Sequence, residues 1–169
     1  MAKTKKRNQK SKKNNLPLIL AAALVVLALS VSVLGRAKDA RETVAEDGAL
    51  AIPLSAITET ASFYPVTVDG TDMEVLAIRT ASGEIRTAFN TCQSCYTSGH
   101  GYYIANGTEL ICQNCGFHFT ADEVGVKTGG GCNPWPILAE DRSESAGSLS
   151  ISYTTLSSAK SIFSNWSKN

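Results

Sequence analysis

All five cysteines of the chain lie between Cys92 and Cys132. Four of them form two Cys-x-x-Cys pairs, Cys92-Cys95 and Cys112-Cys115, separated by a spacer of sixteen residues. Two thiols at this spacing lie on one tight turn and can bind one metal, and the spacer is long enough to fold one pair onto the other. The sequence therefore predicts a four-thiolate site formed by the two pairs.

The spacer between the pairs has the pattern of a β-hairpin. Residues 101–105 and 108–112 are short runs rich in strand-forming residues, and the Asn106-Gly107 dipeptide between them is typical of a type I′ turn. We expect this hairpin to bring the two pairs side by side. Four sulfurs around one point suit Zn²⁺, a single iron or an iron–sulfur cluster, and the spacing does not distinguish among them.

Three residues near the pairs are further candidates for the site. Cys132 follows three glycines and precedes Asn-Pro-Trp-Pro, which indicates a loop over the site whose thiol could be an additional ligand or could tune a redox potential. His118, three residues after Cys115, could replace a thiolate or donate a hydrogen bond to sulfur, although histidines are more often ordinary surface or core residues. Gly116 directly follows the second pair and tolerates the positive φ that a metal-binding turn often needs. Tyr96 stands at the equivalent position after the first pair and is less suited to that conformation.

The first 35 residues have the pattern of a membrane anchor. Residues 1–15 contain seven Lys or Arg and no acid, and residues 16–34 contain no charged side chain. Nineteen residues at about 1.5 Å each reach roughly 28 Å, close to the thickness of a hydrocarbon core. We predict a cytoplasmic basic tail (1–15), a transmembrane signal anchor (16–35), and a single-pass protein of the cell membrane whose C-terminal domain is extracytoplasmic.

The rest of the chain divides into a linker and one domain. Residues 36–51 mix charges with alanine and lack a sustained apolar face, which indicates a stalk with some helical tendency. Residues 52–169 form the predicted metal-binding domain. Residues 36–169 contain nine basic and fifteen acidic side chains, a formal charge of −6, which argues against a nucleic-acid partner.

Apolar runs predict that this domain is mainly β with a C-terminal helix. The nearly continuous run Val75–Ile78 indicates a strand buried on both faces. Leu156, Ala159, Phe163 and Trp166 follow helical spacing and are expected in the core, with Thr155 as the N-cap. The predicted elements are a short helical turn at 52–57 and strands over 61–68, 73–80, 85–89 and 148–153.

At A-F-N-T-C-Q-S-C, G-Y-Y, E-L-I-C-Q-N-C-G-F-H-F and G-G-G-C-N-P-W-P-I, the chain resembles the FtrD-like family of membrane iron–sulfur-containing proteins. The resemblance extends over about residues 52–166. It implies an iron–sulfur cluster or another iron centre, electron transfer or metal handling in iron uptake, and an iron permease or another membrane redox partner. The motif cysteines of the family fall on Cys92, Cys95, Cys112, Cys115 and Cys132.

The order of the elements is also distantly similar to that of Rieske-type domains. In those domains two ligand loops flank a hairpin and a proline-containing loop covers the cluster. Cys95 and Cys115 stand where a Rieske domain has histidines, so the resemblance implies an electron-rich centre of lower potential. The expected fold is a small Rieske-like or zinc-ribbon-like β domain.

Two other functions stay open at this point. A zinc ion on the four thiolates would make the domain a structural zinc-ribbon binding module. Outside the cytoplasm, the five cysteines could instead form two disulfides and a free thiol, or one pair could act as a thiol redox centre. No Ser–His–Asp arrangement, phosphate-binding loop or carboxylate pair stands out, so we expect an electron-transfer or metal-binding component rather than a stand-alone enzyme.

Overall fold

The computed structural model describes residues 41–126 and 131–168. Within these ranges the chain forms three β-sheets and one short α-helix, so the domain is mainly β with a C-terminal helix, as predicted. The strands are β1 Glu42–Thr43, β2 Ala49–Pro53, β3 Ser62–Val68, β4 Thr71–Arg79, β5 Ile85–Cys92, β6 Tyr103–Asn106, β7 Glu109–Cys112, β8 His118–Thr120, β9 Pro134–Ile137, β10 Arg142–Ser145 and β11 Ser148–Ser152, and helix α1 is Tyr153–Ser158.

The largest sheet has five strands in the order β1-β3-β4-β5-β9. Strand β1 runs parallel to β3, and the other neighbours are antiparallel. The turn between β3 and β4 has positive φ at both Asp69 (48°) and Gly70 (76°), which is the type I′ pattern favoured in two-residue hairpins. Strands β3, β4 and β5 confirm the predicted strands over 61–68, 73–80 and 85–89.

Strand β4 lies at the centre of the molecule because both of its faces are covered. Val75 and Ala77 belong to one hydrophobic core, and Leu76 and Ile78 belong to a second core on the opposite face. All four side chains are fully buried. The prediction that this apolar run is buried on both sides is therefore confirmed, and the five-stranded sheet is a middle layer.

The first core lies between the five-stranded sheet and a three-stranded sheet in the order β10-β11-β2. Strands β2 and β11 alternate between buried and solvent-facing residues, with Leu50, Ile52, Leu149 and Ile151 inside. Full burial of such a side chain contributes about 1.5–3 kcal/mol. The apolar residues of the predicted C-terminal helix complete this core: Leu156, Ala159 and Phe163 are buried, and Trp166 packs against them.

The second core lies under a small sheet in the order β6-β7-β8. Tyr103, Leu110 and Phe119 face inward from its three strands and contact the middle layer. The buried Cys92 and Cys112 belong to the same core. This small sheet therefore attaches the cysteine pairs to the rest of the fold.

The hairpin β6–β7 confirms the predicted hairpin, with a different turn. Asn106 pairs with Glu109, so the loop consists of Gly107 and Thr108. Among the loop residues only Gly107 has a positive φ, of 63°. A positive φ at the first loop residue alone matches type II′, so the expected type I′ turn at Asn106-Gly107 is wrong.

The folded region begins before Ile52: of the predicted stalk at residues 36–51, the described residues 41–51 contain strands and no helix, so the expected helical tendency is wrong there. Strand β1 and most of β2 lie in this segment, and Val44 and Leu50 are buried in the first core. Val44 and Leu50 are isolated large apolar residues in this segment, and the surrounding alanines and charges hide their strand pattern in the sequence. The predicted helical turn at 52–57 is limited to a 3₁₀ turn at Leu54–Ala56.

The C-terminal helix is shorter than the apolar spacing indicates, and its cap is a different residue. Ser152 is the N-cap, because its Oγ accepts a hydrogen bond from the backbone N–H of Thr155 at 3.2 Å. Thr155, the predicted cap, lies inside α1. After Ser158 the chain continues as a 3₁₀ helix at Lys160–Phe163.

Three predicted segments lie outside the described residues: the basic tail, the membrane span of residues 16–34, and the glycine-rich run at 128–130. Within residues 41–126 and 131–168, no helix is long and apolar enough to cross a bilayer.

Candidate metal centre

The five cysteine side chains converge at the edge of the small β6-β7-β8 sheet. The Sγ atoms of Cys92, Cys95 and Cys132 all lie within 4.8 Å of one another, and so do those of Cys95, Cys112 and Cys115. Cys95 belongs to both groups. All five cysteines are free thiols. The four predicted ligands and Cys132 therefore fall into two groups of three thiols that share Cys95.

Each cysteine pair occupies the same kind of turn at the end of a strand. Cys92 is the last residue of β5 and Cys112 is the last residue of β7. The backbone N–H groups of Ser94 and Cys95 donate to the Cys92 sulfur, and those of Asn114 and Cys115 donate to the Cys112 sulfur. Backbone donors aimed at sulfur stabilise thiolates, so both turns are prepared to present a ligand.

The two turns differ at the residue after the second cysteine, as the sequence predicts. Gly116 has φ +72°, and the following N–H of Phe117 donates to the Cys115 sulfur. Tyr96 instead begins a 3₁₀ turn, and the Cys95 sulfur accepts a hydrogen bond from the side chain of Asn114. The Cys115 sulfur is thus held by a backbone N–H of its own turn. The Cys95 sulfur in the first turn depends instead on the Asn114 side chain, which belongs to the second turn.

Cys132 lies just before edge strand β9, in a segment that the sequence predicts to be a loop over the site. Residues Pro134–Ile137 form β9, antiparallel to β5, so the expectation that this segment is a lid rather than a strand is wrong. Its prolines are tolerated because β9 is an edge strand with a neighbour on one side only. The hydroxyl of Tyr103 donates to the Cys132 carbonyl, and Ser94 Oγ donates to the Gly131 carbonyl at 2.7 Å. These contacts fix the thiol of Cys132 beside the first pair.

The buried side chain of Asn90 is one of the contacts that join the small sheet to the middle layer. Its Oδ1 accepts from the backbone N–H of Tyr103 at 2.7 Å, and its Nδ2 donates to the carbonyl of the same residue at 3.2 Å. Asn90 therefore pairs with Tyr103 as a neighbouring strand would. Because Asn90 stands two residues before Cys92 and Tyr103 pairs with Cys112 across the hairpin, this contact sets the spacing between the two cysteine pairs.

Asn90 is itself held by a buried carboxylate. Asn90 Nδ2 lies 2.5 Å from Glu74 Oε2, and Lys168 Nζ lies 2.6 Å from the same oxygen. Glu74 is only 5 % exposed, and these two partners supply its hydrogen bonds inside the fold. Trp166 Nε1 also donates to the Asn90 carbonyl, at 2.8 Å. The C-terminal segment thus braces the strand that ends in Cys92.

Hydrogen bonds between the thiols give the cysteines different pKa values. A hydrogen bond from the Cys112 thiol, opposed by burial, lowers the pKa of Cys92 to about 4, while the same bond and burial raise the pKa of Cys112. A hydrogen bond with Cys115, together with burial, raises the pKa of Cys132 to about 12. This arrangement therefore favours the thiolate form of Cys92 and the protonated form of Cys112 and Cys132.

The donor set fits a thiophilic metal. A tetrahedral ion with metal–sulfur bonds of about 2.3 Å needs sulfurs about 3.8 Å apart, a spacing that the 4.8 Å groups can accommodate. Both groups consist of thiols alone, a donor set that suits zinc, iron, iron–sulfur clusters or copper and does not suit magnesium or calcium. The cysteine groups thus fit metal binding.

The two histidines lie away from the thiols. His118 Nδ1 is 2.9 Å from Glu109 Oε2, and the side chain is half exposed on β8. His100 is exposed in the turn after the first pair, where its backbone N–H donates to Ser98 Oγ. Neither belongs to the two sulfur groups found among the described residues. The structure therefore places no histidine with the ligands.

The thiols differ in their access to solvent. Cys92 and Cys112 are fully buried, at 0 % and 1 % exposure, whereas Cys115 is exposed. Phe117, two residues further on, is 61 % exposed, which is unusual for a large apolar side chain. One edge of the site, near Cys115, therefore reaches the surface beside an apolar side chain.

Asn90, Glu74 and Tyr103 are the supporting residues that sequence reasoning misses. Tyr103 lies in a predicted strand without a predicted role. The available signal is that Asn90 and Glu74 are polar residues within or next to strongly apolar strands, where a buried polar group needs a partner. Only the fold shows that they are partners of each other.

The family model described as "Membrane iron-sulfur containing protein FtrD-like" matches residues 57–163, which is more than half of the chain. The chain belongs to the FtrD-like family. No curated protein and no solved structure matches it. The matched region includes all five cysteines and the strands that carry them, so the FtrD-like match and the thiol cluster agree on the location of the site.

We predict that Asn90→Leu lowers both metal content and stability of the full chain. The substitution leaves the buried N–H and C=O of Tyr103 without a partner, at about 1–3 kcal/mol each, so the free energy of unfolding should fall by about 2–6 kcal/mol. Denaturant unfolding and elemental analysis per chain measure the two effects. Gln113→Leu is the matched control, since Gln113 Nε2 donates to the Ile111 carbonyl on an exposed turn. Equal metal content in the two variants would contradict the positioning role of Asn90.

Proposed function

We propose that this protein is a membrane-anchored, extracytoplasmic iron–sulfur or iron protein whose ligands are Cys92, Cys95, Cys112 and Cys115. One observation carries the proposal: two turns with the same backbone donors follow β5 and β7, which belong to different sheets, and bring both pairs into sulfur groups no wider than 4.8 Å. A site built from two such turns closes a four-thiolate set. Cys132 stands beside this set as a neighbouring thiol.

The proposed cofactor is iron-based for two reasons. The family is described as iron–sulfur containing, and the site offers thiolates without nitrogen or carboxylate ligands. When bound, an iron–sulfur cluster or iron centre on four thiolates supplies reversible one-electron transfer at low potential. The protein's own residues hold the ligands, and they shield Cys92 and Cys112 from solvent.

Electron transfer in an iron-uptake system is the role that we propose for this centre. The exposed edge at Cys115 and Phe117 is a suitable exit for an electron, because transfer needs close approach of the partner to the cofactor. The proposed partner is an iron permease or another membrane redox protein. The family description names a membrane, and residues 16–34 have the length and composition of a span.

A structural zinc module is the second candidate function. It is favoured by the short sulfur–sulfur spacing, which suits a single tetrahedral ion as well as an iron centre. In that case the metal would support the small β6-β7-β8 sheet, and the exposed edge would have no redox role. The two candidates differ in colour, sulfide content and reducibility.

We predict that the full chain, purified without oxygen, contains iron and shows broad visible absorption that reduction bleaches reversibly. Cys112→Ser and Cys115→Ser should lose this absorption, since each removes one of four ligands. Cys132→Ser should keep its iron and shift the midpoint potential or oxygen sensitivity. Elemental analysis, sulfide determination and a redox titration measure these properties.

His100→Ala and His118→Ala are the matched controls for the cysteine variants, because both histidines lie outside the sulfur groups. Unchanged iron content in Cys112→Ser and Cys115→Ser would contradict the four-cysteine site. Colourless wild-type protein with one zinc per chain would support the structural alternative instead.

We predict that Phe117→Ser slows electron delivery to the partner without changing the cofactor. The substitution removes apolar contact area at the exposed edge and leaves the ligands in place. The measurement is the reoxidation rate of the reduced chain by membranes from cells that lack it, together with the visible spectrum. Ile104→Ser is the control, as Ile104 is the other exposed large apolar residue of the described chain, at 40 %. Equal reoxidation rates for wild type and Phe117→Ser would show that the partner does not depend on the exposed edge at Phe117.

For localisation, we predict that a phosphatase reporter fused after Asn169 is active only on the outer face of the membrane. The seven basic residues of the tail should retain the N terminus in the cytoplasm. A fluorescent reporter that matures only in the cytoplasm, fused at the same point, is the paired control. Activity of that second reporter would reverse the proposed topology.

A further inference from the structure

A cavity of about 380 Å³ lies between the edge strand β9 and the C-terminal helical segment, and no cysteine lines it. Its volume is in the range of small-ligand sites, about 300–1,000 Å³. The buried residues of its lining are apolar: Phe89, Ala159 and Ile162. The proposed electron-transfer function does not use this cavity, so its lining needs another explanation.

Polar groups without partners form the rest of the lining. Asp141 Oδ2 accepts a hydrogen bond from the backbone N–H of Leu138 at 3.1 Å, and Asp141 Oδ1 has no partner in the described part of the chain. The hydroxyls of Thr154 and Ser161, both exposed, and the indole N–H of Trp135 are likewise unpaired there. The cavity therefore offers both donors and acceptors above an apolar base.

This combination excludes several ligand classes. Asp141 is the only charged residue among the described residues that line the cavity, so a phosphate or carboxylate ligand finds no cationic partner. A peptide added to the edge of β9 finds few N–H donors, because Pro134 and Pro136 have none. A neutral sugar ring has an apolar face and hydroxyl groups that donate and accept, so it matches the lining.

Trp135 is a preorganised wall for the apolar face of such a ring. Its side chain contacts Tyr96 edge to face, with ring centroids 5.8 Å apart, and its backbone pairs with Phe89 across β5 and β9. An aromatic side chain that is fixed before binding loses little conformational entropy when a ligand packs on it.

A second cavity, of about 340 Å³, adjoins the first one, because Asp141 and Thr155 line both. Small residues on the solvent-facing side of the β10-β11-β2 sheet form part of it: Ala49, Ser143 and Ser150. Their short side chains leave the surface open, and the serines add hydroxyl groups. The two cavities form a groove that is longer than one sugar ring.

We propose that this groove binds a neutral oligosaccharide segment, with one sugar ring against Trp135 and beside Asp141, and the next rings along Ser143 and Ser150. The inference goes beyond the proposed function and does not depend on the cofactor. It assigns the domain a second role, attachment to a polysaccharide.

The test is isothermal titration calorimetry of the full chain in a detergent without a sugar headgroup. The probes are cellotriose, maltotriose and triacetylchitotriose. At least one should bind, and it should bind more tightly than glucose, because it contacts both cavities. Trigalacturonic acid, the anionic control, should bind about tenfold more weakly than that trisaccharide, since the groove contains carboxylates and its ligand finds no free cation.

Variants of the lining test the assignment of residues. Trp135→Leu should weaken binding about tenfold through loss of the ring. Asp141→Asn should weaken it about fivefold, because the amide oxygen still accepts from Leu138 while the charged acceptor is lost. Asp122→Asn is the matched control, since Asp122 lies in another 3₁₀ turn, at Ala121–Glu123, and does not line the groove.

Binding of none of the three trisaccharides would overturn the inference. So would wild-type affinity in folded Trp135→Leu, or equal affinities for glucose and the trisaccharide. Iron content distinguishes this failure from that of the proposed function, because no variant changes a cysteine. A chain that contains iron and binds no sugar contradicts this inference alone, and a chain that binds sugar without iron contradicts the proposed function alone.

Discussion

The double hydrogen bond between the side chain of Asn90 and the backbone of Tyr103 is the contact on which the site depends. The five-stranded sheet supplies Cys92, the small sheet supplies Cys112, and these two sheets belong to separate ladders. A backbone ladder between them would require β6 to continue alongside β5. Instead, the amide side chain of Asn90 makes two hydrogen bonds at a fully buried position, and Glu74 fixes the amide in turn. The backbone N–H of Cys92 adds a hydrogen bond to the Gly101 carbonyl at 2.7 Å, and these contacts together hold the thiols at their spacing.

The local structure of the site is predictable from the sequence because it is determined by residues that are close together along the chain. Two residues between cysteines are enough to define a turn, and Gly116 signals the backbone conformation that its turn adopts. The hairpin and the doubly buried strand β4 are likewise predictable from adjacent residues, although the hairpin turns at Gly107-Thr108 and not at the expected Asn106-Gly107. For these features local preference and tertiary structure agree.

The remaining features depend on contacts between distant segments. Pro134 and Pro136 argue against a strand unless β9 is known to be an edge, and that is a property of the whole sheet. The burial of Val44 depends on the pairing of the preceding β1 with β3, and that of Leu50 on the pairing of β2 with β11, about a hundred residues later. Glu74 and Asn90 have no recognisable spacing, since they meet across neighbouring strands. Position along the chain cannot reveal which buried polar residues satisfy one another.

The brace formed by Trp166 and Lys168 has a consequence for biosynthesis. These residues are translated after all five cysteines, so the turns and the hairpin leave the ribosome before their supports exist. Ser167, whose N–H donates to the Gly99 carbonyl at 2.9 Å, joins the loop after the first pair at the same late stage. The contacts that hold the ligand spacing are therefore completed only after the segment that contains all five cysteines has been translated.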